Sequence, residues 1–366
     1  MTPFPREYSE YYFVVSFVHY CALLNVYIHL NSLLHFLIHS LGGAPSNVAV
    51  HLASLFRSID DSSSPTVAIA ACLGNDQLGR EAHRRLAVKG VRTDFIQYHE
   101  KWETGMATAI LDKNKNGDAS YEFNTPAAWD GLQLNDQMMG LMQNDDKDSN
   151  NLHTKLFIMG TISARLNDDQ EATSSSTLKT IRNSAPEGTV VLDVNLRNPW
   201  YTPELVLELA KGLEDKKLAL LKLNEDELCI LEEWCGLDVS SGESGDEVLA
   251  GSVLKQRMEQ LATSLNTKRV CVTRGENGAA LLCIDEDKNN NFYENEGYTL
   301  TTNNDSDTVG AGDAFLAALV CALFIQHESP EKALERACAL GAYVASCRGA
   351  TPEHEDAPDD LRSIFL

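Results

Sequence analysis

From residue 42 onward, short apolar runs rich in β-branched residues alternate with longer stretches of helical period, a pattern that confines the chain to a mostly parallel sheet faced by helices. The runs are TVAIAACLG (Thr66 to Gly74), LFIMG (Leu156 to Gly160), VVLDVN (Val190 to Asn195), LALLKLN (Leu218 to Asn224) and RVCVTRG (Arg269 to Gly275). Each ends in polar or glycine residues, and ligands of such sheets collect beyond the carboxyl ends of the strands. Between Val91 and Phe123 the texture changes: VRTDFIQYHE, GMATAILD and DASYEFN alternate at strand period around the turn segment KNKNG. The expectation is an α/β chain with a mostly parallel central sheet, flanking helices and a small β-sheet lid over about residues 91–124. Polar stretches around Ser58 to Pro65, Asn135 to Asn151 and Val239 to Gly251 read as surface loops.

Residues 1–41 stand apart as an atypical apolar segment ahead of a domain over 42–366. Tyr11 to Leu41 carries no Asp, Glu, Lys or Arg and is long enough to span a bilayer. His19, His29, His35 and His39 with Asn25 and Asn31 make a poor hydrocarbon helix, and Arg6 alone gives little orientation signal. Asn25, His29, Ser32, His35 and His39 recur at helical spacing, as in a half-buried helix with one polar stripe. A packed or interfacial helix, a signal anchor and an artefactual gene start all fit this pattern. Membrane association is left to this segment alone, and the expected location is cytoplasmic, with an anchor or organelle signal open.

The chain has 53 acidic against 30 basic residues, a formal charge of -23, which repels nucleic acid and anionic membranes. Local amides still bind nucleotides whatever the net charge. The nine cysteines show no zinc spacing, and several sit in apolar runs, as reduced buried thiols do.

The chemistry concentrates in DSDTVGAGDAFLAALVCALF (Asp305 to Phe324). Gly310, Ala311 and Gly312 let the backbone approach a ligand closely at the start of a buried helix. Amides and dipole there favour a transferred phosphoryl group, and Asp313 beside them is placed to take a proton from a hydroxyl. The string DTVGAGDAF closely resembles the C-terminal signature of the ribokinase-like (PfkB) carbohydrate kinases. That resemblance implies Asp313 as catalytic base, Gly310, Ala311 and Gly312 as anion hole, and Asp307 with Gly349 beside a monovalent cation, K⁺.

The resemblance extends over roughly Gly42 to Pro352. GGAPSNVAVHLASL is similar to the family's N-terminal motif, which implies that Gly42, Gly43 and Asn47 meet the sugar. LGNDQLGREAHRRLAVKGV is similar to the next block, and Thr104 with Gly105 opens the lid strand. LNEDE supplies Asn224 and Glu227 at the family's NxxE spacing, implying a role in organising Mg²⁺ and the ATP phosphates. VTRGENGA places Thr273, Gly275 and Gly278 beside the nucleotide. No GxxxxGK[ST] loop occurs, which disfavours P-loop kinases. DVNLRNPWY and GGAPSNVA look most like fructokinases, so fructose is the first-choice sugar, with Arg197 a candidate contact and ribose and 2-keto-3-deoxygluconate open.

Two departures accompany the likeness. No aspartate precedes Asp60, where the family carries a first strand with a carboxylate on the sugar, and losing that bond costs about 1.5 to 3 kcal/mol. The missing strand should also disturb the sheet centre. Cys338 stands where many relatives have an asparagine near the adenine. The alternative to an ATP-dependent sugar kinase is therefore a weak or inactive fructokinase-like binding protein. A homodimer through the lid is also implied.

Overall fold

The computed structural model of the chain describes residues 13–18, 22–28, 37–59, 65–111, 119–143, 155–161, 173–197, 200–211, 217–237, 251–284, 290–300 and 306–366. Its strands are β1 (Phe13–Val18), β2 (Ala22–Ile28), β3 (Leu37–Gly42), β4 (Thr66–Gly74), β5 (Arg92–His99), β6 (Met106–Leu111), β7 (Ala119–Phe123), β8 (Lys155–Gly160), β9 (Val190–Asp193), β10 (Leu220–Asn224), β11 (Arg269–Thr273), β12 (Ala279–Ile284) and β13 (Asn290–Asn295). A nine-stranded sheet has the order β13-β12-β11-β10-β9-β8-β1-β4-β5, and a four-stranded sheet the order β3-β2-β6-β7. From β5 across to β11 every neighbour is parallel, and β12 and β13 close that edge antiparallel. All five apolar runs read from the sequence lie in the large sheet.

The N-terminal segment departs most from expectation. Its described residues are strands, not a helix, so the polar stripe Asn25, His29, Ser32, His35 and His39 does not define a helical face: Asn25 lies in β2 and His39 in β3. The other three lie outside the described residues. The sheet centre is filled as well, since β1 pairs in parallel with both β4 and β8. The run FVVSFV is β-branched and aromatic, and such a run gains its conformation from flanking strands that no local period announces. β3 hydrogen-bonds across residues 41 and 42 without a break.

The lid also differs in composition. β5 pairs with β4 at the edge of the large sheet, joined to it by the crossover helix Gln77–Val88 that a parallel pair needs. Only β6 and β7 of the expected flap lie in the small sheet, where β2 pairs with β6 and β3 with β2. Alternation marks a half-buried strand but not the sheet that receives it. The turn KNKNG and most of Val239 to Gly251 lie outside the described residues, and Asp136–Gln143, expected as loop, is helical.

Helices cover both faces of the large sheet. Ala44–Arg57, Ala311–Val320 and Pro330–Ala345 pack with β4, β1 and β12 on one side, while Gly251–Leu265 and Glu225–Trp234 join the apolar cluster around β9, β10 and β11 on the other. The helix Ala44–Arg57 is tied to the C-terminal region by His51, whose ring nitrogens meet His354 Nε2 and the Ala350 carbonyl, each at 2.9 Å. Burial lowers both imidazoles, His51 to about 3 and His354 to about 4, so neither carries charge at neutral pH.

Candidate active site

The run DTVGAGD forms a tight turn into the helix Ala311–Val320. Gly310 caps it at φ 83°, and a Cβ there would lie 2.5 Å from that of Ala350, so conformation and space both demand glycine. The Ala311 amide turns back on the Thr308 carbonyl at 3.3 Å, whereas those of Gly310 and Gly312 make no hydrogen bond among the described residues. Asp313 follows in the first turn, buried, where the helix dipole favours its charge.

Asn47 arrives from the other end of the chain. β3 ends at Gly42, Gly43 turns at φ 102°, and Pro45 sits in the first turn of the helix that carries Asn47. Its Nδ2 donates to Asp313 Oδ2 at 2.7 Å across 266 residues of sequence. Among the described residues its buried Oδ1 has no partner, an acceptor available to a ligand hydroxyl. Burial raises the Asp313 pKa and Asp193 adds to the rise; the Asn47 hydrogen bond, Lys222 and Arg197 oppose it. A base with a raised pKa is a stronger proton acceptor while it remains ionised.

Beside this pair, the ends of β9 and β10 bring in charge. Lys222 and Asp193 are register partners, and Lys222 Nζ donates to Asp193 Oδ1 at 3.0 Å with both side chains buried. A Cβ on Gly312 would lie 3.3 Å from that ammonium, which places Lys222 under the glycine turn. Burial alone would lower its pKa, but Asp193, Glu227 and Asp313 together hold it above the ordinary lysine value. No motif gives Lys222 or Asp193 a role, although Asp193 opens the run DVNLRNPWY. The signal for Lys222 is that it is the single charged residue in the strand run LALLKLN, since buried lysines need a reason.

Asn224 caps the next helix and closes a capping box with Glu227: Asn224 Oδ1 accepts the Glu227 amide at 2.8 Å and Glu227 Oε2 the Asn224 amide at 2.9 Å. Glu227 Oε1 accepts the Leu196 amide at 2.7 Å, tying the loop after β9 to this helix. Burial raises the Glu227 pKa, opposed by Lys222. Arg197, in that loop, donates to the Leu196 carbonyl at 3.3 Å and is half-buried. On the neighbouring strand Thr273 is the register partner of Asn224, and Gly275 (φ 57°) and Gly278 (φ 80°) make the turn into β12. A Cβ at Gly278 would fall 2.0 Å from the Asn295 carbonyl oxygen. Asp307 accepts the Val309 amide at 3.2 Å and the Gly349 amide at 3.1 Å, so these two residues are neighbours, and burial raises the Asp307 pKa.

The pfkB family carbohydrate kinase model matches residues 35–357. The chain belongs to this family. As a carbohydrate kinase it is a phosphotransferase with an alcohol acceptor. Among its relatives is a fructokinase of Vibrio alginolyticus, 25% identical over 317 residues, spanning 84% of this chain and 86% of the relative. The kinase shares its fold with a fructokinase from Vibrio cholerae O395 in a fructose, ADP and calcium ion bound form, with TM-score 0.67, 20% identity and coverage of 98% and 100%. It shares it also with an uncharacterized sugar kinase from Pyrococcus horikoshii in complex with ATP, with TM-score 0.66, 20% identity and coverage of 97% and 100%.

The kinase's sheet junction is built from neutral donors. Asp76 Oδ1 accepts the Gly79 amide at 2.7 Å and the Thr104 hydroxyl at 2.8 Å, and Oδ2 accepts the Thr104 amide at 2.7 Å. Thr104 Oγ1 in turn accepts the Gly74 amide at 3.0 Å. A Cβ on Gly105 would strike the Trp129 ring at 1.8 Å, so the entry to β6 packs flush on that indole. Cys338 is buried, and its thiol is pushed up to about 12 by burial, an inert side chain. No helix among the described residues is long and apolar enough to cross a membrane.

Proposed function

We propose that this kinase transfers the γ-phosphoryl group of ATP to fructose, giving fructose 6-phosphate and ADP. The observation that carries the reading is the 2.7 Å hydrogen bond joining Asn47 of the GGAPSN motif to Asp313 of the DTVGAGD motif, which brings two motifs 266 residues apart into direct contact. Asp313 takes the proton of the sugar hydroxyl as its oxygen attacks the γ-phosphorus, and the bond to the bridging oxygen of ADP breaks. The amides of Gly310 and Gly312, with that of Ala311, receive the charge spreading over the phosphoryl oxygens. Gly42, Gly43 and Asn47 hold the sugar, with Arg197 at the mouth. The fructokinase relative and the fructose-bound neighbour support the choice of sugar.

Thr273, Gly275 and Gly278 line the nucleotide's side of the edge, and the ATP-bound neighbour supports ATP as that nucleotide. Asn224 and Glu227 offer the hard oxygen donors that suit Mg²⁺, which supplies charge neutralisation on the phosphates. Since both Glu227 oxygens already accept amides, this pair would hold the ion through its water shell. Asp307 with Gly349 suits a monovalent cation, because a buried carboxylate raised by burial is relieved by a neighbouring positive charge. We further assign residues 13–42 to the kinase domain on the pairing of β1, β2 and β3, and infer a homodimer through the lid, whose small sheet ends at β3 and β7 among the described residues.

The test is ADP release with fructose, ribose and 2-keto-3-deoxygluconate for the wild type and Asp313→Asn. Fructose-dependent turnover that the variant loses supports the assignment. Equal turnover by Asp313→Asn overturns it, and silence with all three sugars in a chain that still binds ATP favours a fructokinase-like binding protein.

A further inference from the structure

Burying a lysine in the middle of a sheet is unfavourable unless carboxylates surround it, and an apolar residue of similar volume usually replaces such a pair at no loss of stability. Lys222 has its carboxylates, but they are not arranged as a simple structural pair. Its ammonium bonds Asp193 at 3.0 Å and lies under Gly312, one residue from Asp313, while Glu227 and Asp313 add to its stabilisation. The groups facing Asp313 come from four elements: Asn47 from the helix Ala44–Arg57, Asp193 from β9, Arg197 from the loop that follows, and Lys222 from β10. Lys222 and Asp193, paired in register on adjacent strands, act on Asp313 with opposite sign.

We propose that Lys222 and Asp193 form a buried positioning pair that sets the protonation of Asp313 and the field beneath the glycine turn, without touching the sugar. The proposal rests on the assignment of Asp313 as the base. Lys222 keeps the carboxylate ionised despite its burial, and its charge, transmitted through Gly312, favours an anion on the opposite side of the turn. Asp193 moderates both effects and holds the ammonium in register. A side chain on Gly312 would push into the ammonium, so the glycine serves this contact as well as the approach of a phosphate.

The experiment is the pH profile of kcat/KM for the full chain with ATP and the sugar it turns over, for Lys222→Met, Asp193→Asn and the double variant. Lys222→Met should move the acid limb up by about one pH unit, the scale on which a neighbouring opposite charge shifts a carboxylate. Asp193→Asn should move it down. The double variant should return close to the wild-type limb, because it removes one attraction and one repulsion together. The same order is read without turnover from the carboxyl ¹³C titration of Asp313, identified by its loss in Asp313→Asn. A purely structural pair would lower the height of all profiles and the melting temperature while leaving the limb in place, and that result overturns the proposal. If Lys222→Met fails to fold, a limb that stays fixed in Asp193→Asn overturns it by itself. Full activity in Asp313→Asn would instead remove the assigned base, and the positioning role with it, which separates the two failures.

Discussion

Asp76 and Asp313 are both aspartates at the start of a helix, and the fold treats them in opposite ways. Asp76 caps the helix Gln77–Val88 and accepts three hydrogen bonds, from the Gly79 amide and from the amide and hydroxyl of Thr104. Burial pushes its pKa up, but those donors outweigh burial and hold it below the usual carboxylate value. Asp313 lies deeper and accepts one side-chain hydrogen bond among the described residues, that of Asn47, and its pKa rises. A carboxylate saturated by donors is a fixture of the backbone; one left short of them still has use for a proton. The same residue type thus serves as a rivet at the lid junction and as a candidate base at the glycine turn.

The comparison breaks most visibly in turnover. Asp313→Asn should lower kcat by about 10² to 10⁴, the usual worth of a general base, while the melting temperature holds or rises because no charge need be buried. A coupled ADP assay beside a thermal melt checks both. Asp76→Ala should do the reverse: a loss of about 1 to 2 kcal/mol of stability in a urea titration, with the apparent KM for sugar changing more than kcat as the junction loosens.

Their pH dependences should also run in opposite directions. The stability that Asp76 contributes is present above the unfolded-state pKa near 4 and fades as pH falls through its lowered folded value. For Asp313 the folded pKa is the higher one, so the wild type loses stability relative to Asp313→Asn as pH rises from about 4 through that folded value. Melting temperatures of both variants against wild type, taken from pH 3 to pH 8, should therefore diverge with opposite sign; parallel curves would show that the two carboxylates are alike. The smallest effect is that of Thr104→Val, about 1 kcal/mol in the same titration, since one hydroxyl that donates to Asp76 and accepts from Gly74 is lost.

Much of this was legible in the sequence. The apolar runs that became β4, β8, β9, β10 and β11 announce a parallel sheet because strands buried on both faces must be apolar throughout. The glycine turn before Asp313 is local, so the chain sequence alone marks it. β1 and β2 were not legible as strands because they pair with strands far along the chain, β3 because it pairs with β2, and an apolar run without charge fits helix and strand equally. Nor could alternation tell that β5 joins the large sheet while β6 and β7 join the small one.

The sequence by itself determined the α/β class, the family, and the order in which GGAPSN, LNEDE, VTRGENGA and DTVGAGD follow one another, since each is written in a few consecutive residues. Tertiary structure alone decided that Asn47 meets Asp313, that Lys222 lies under Gly312 with Asp193 beside it, and that the apolar N-terminal segment supplies strands to both sheets. The reason is physical: hydrogen bonds and charge pairs act over a few ångströms of space, and only folding brings residues hundreds of positions apart within that reach.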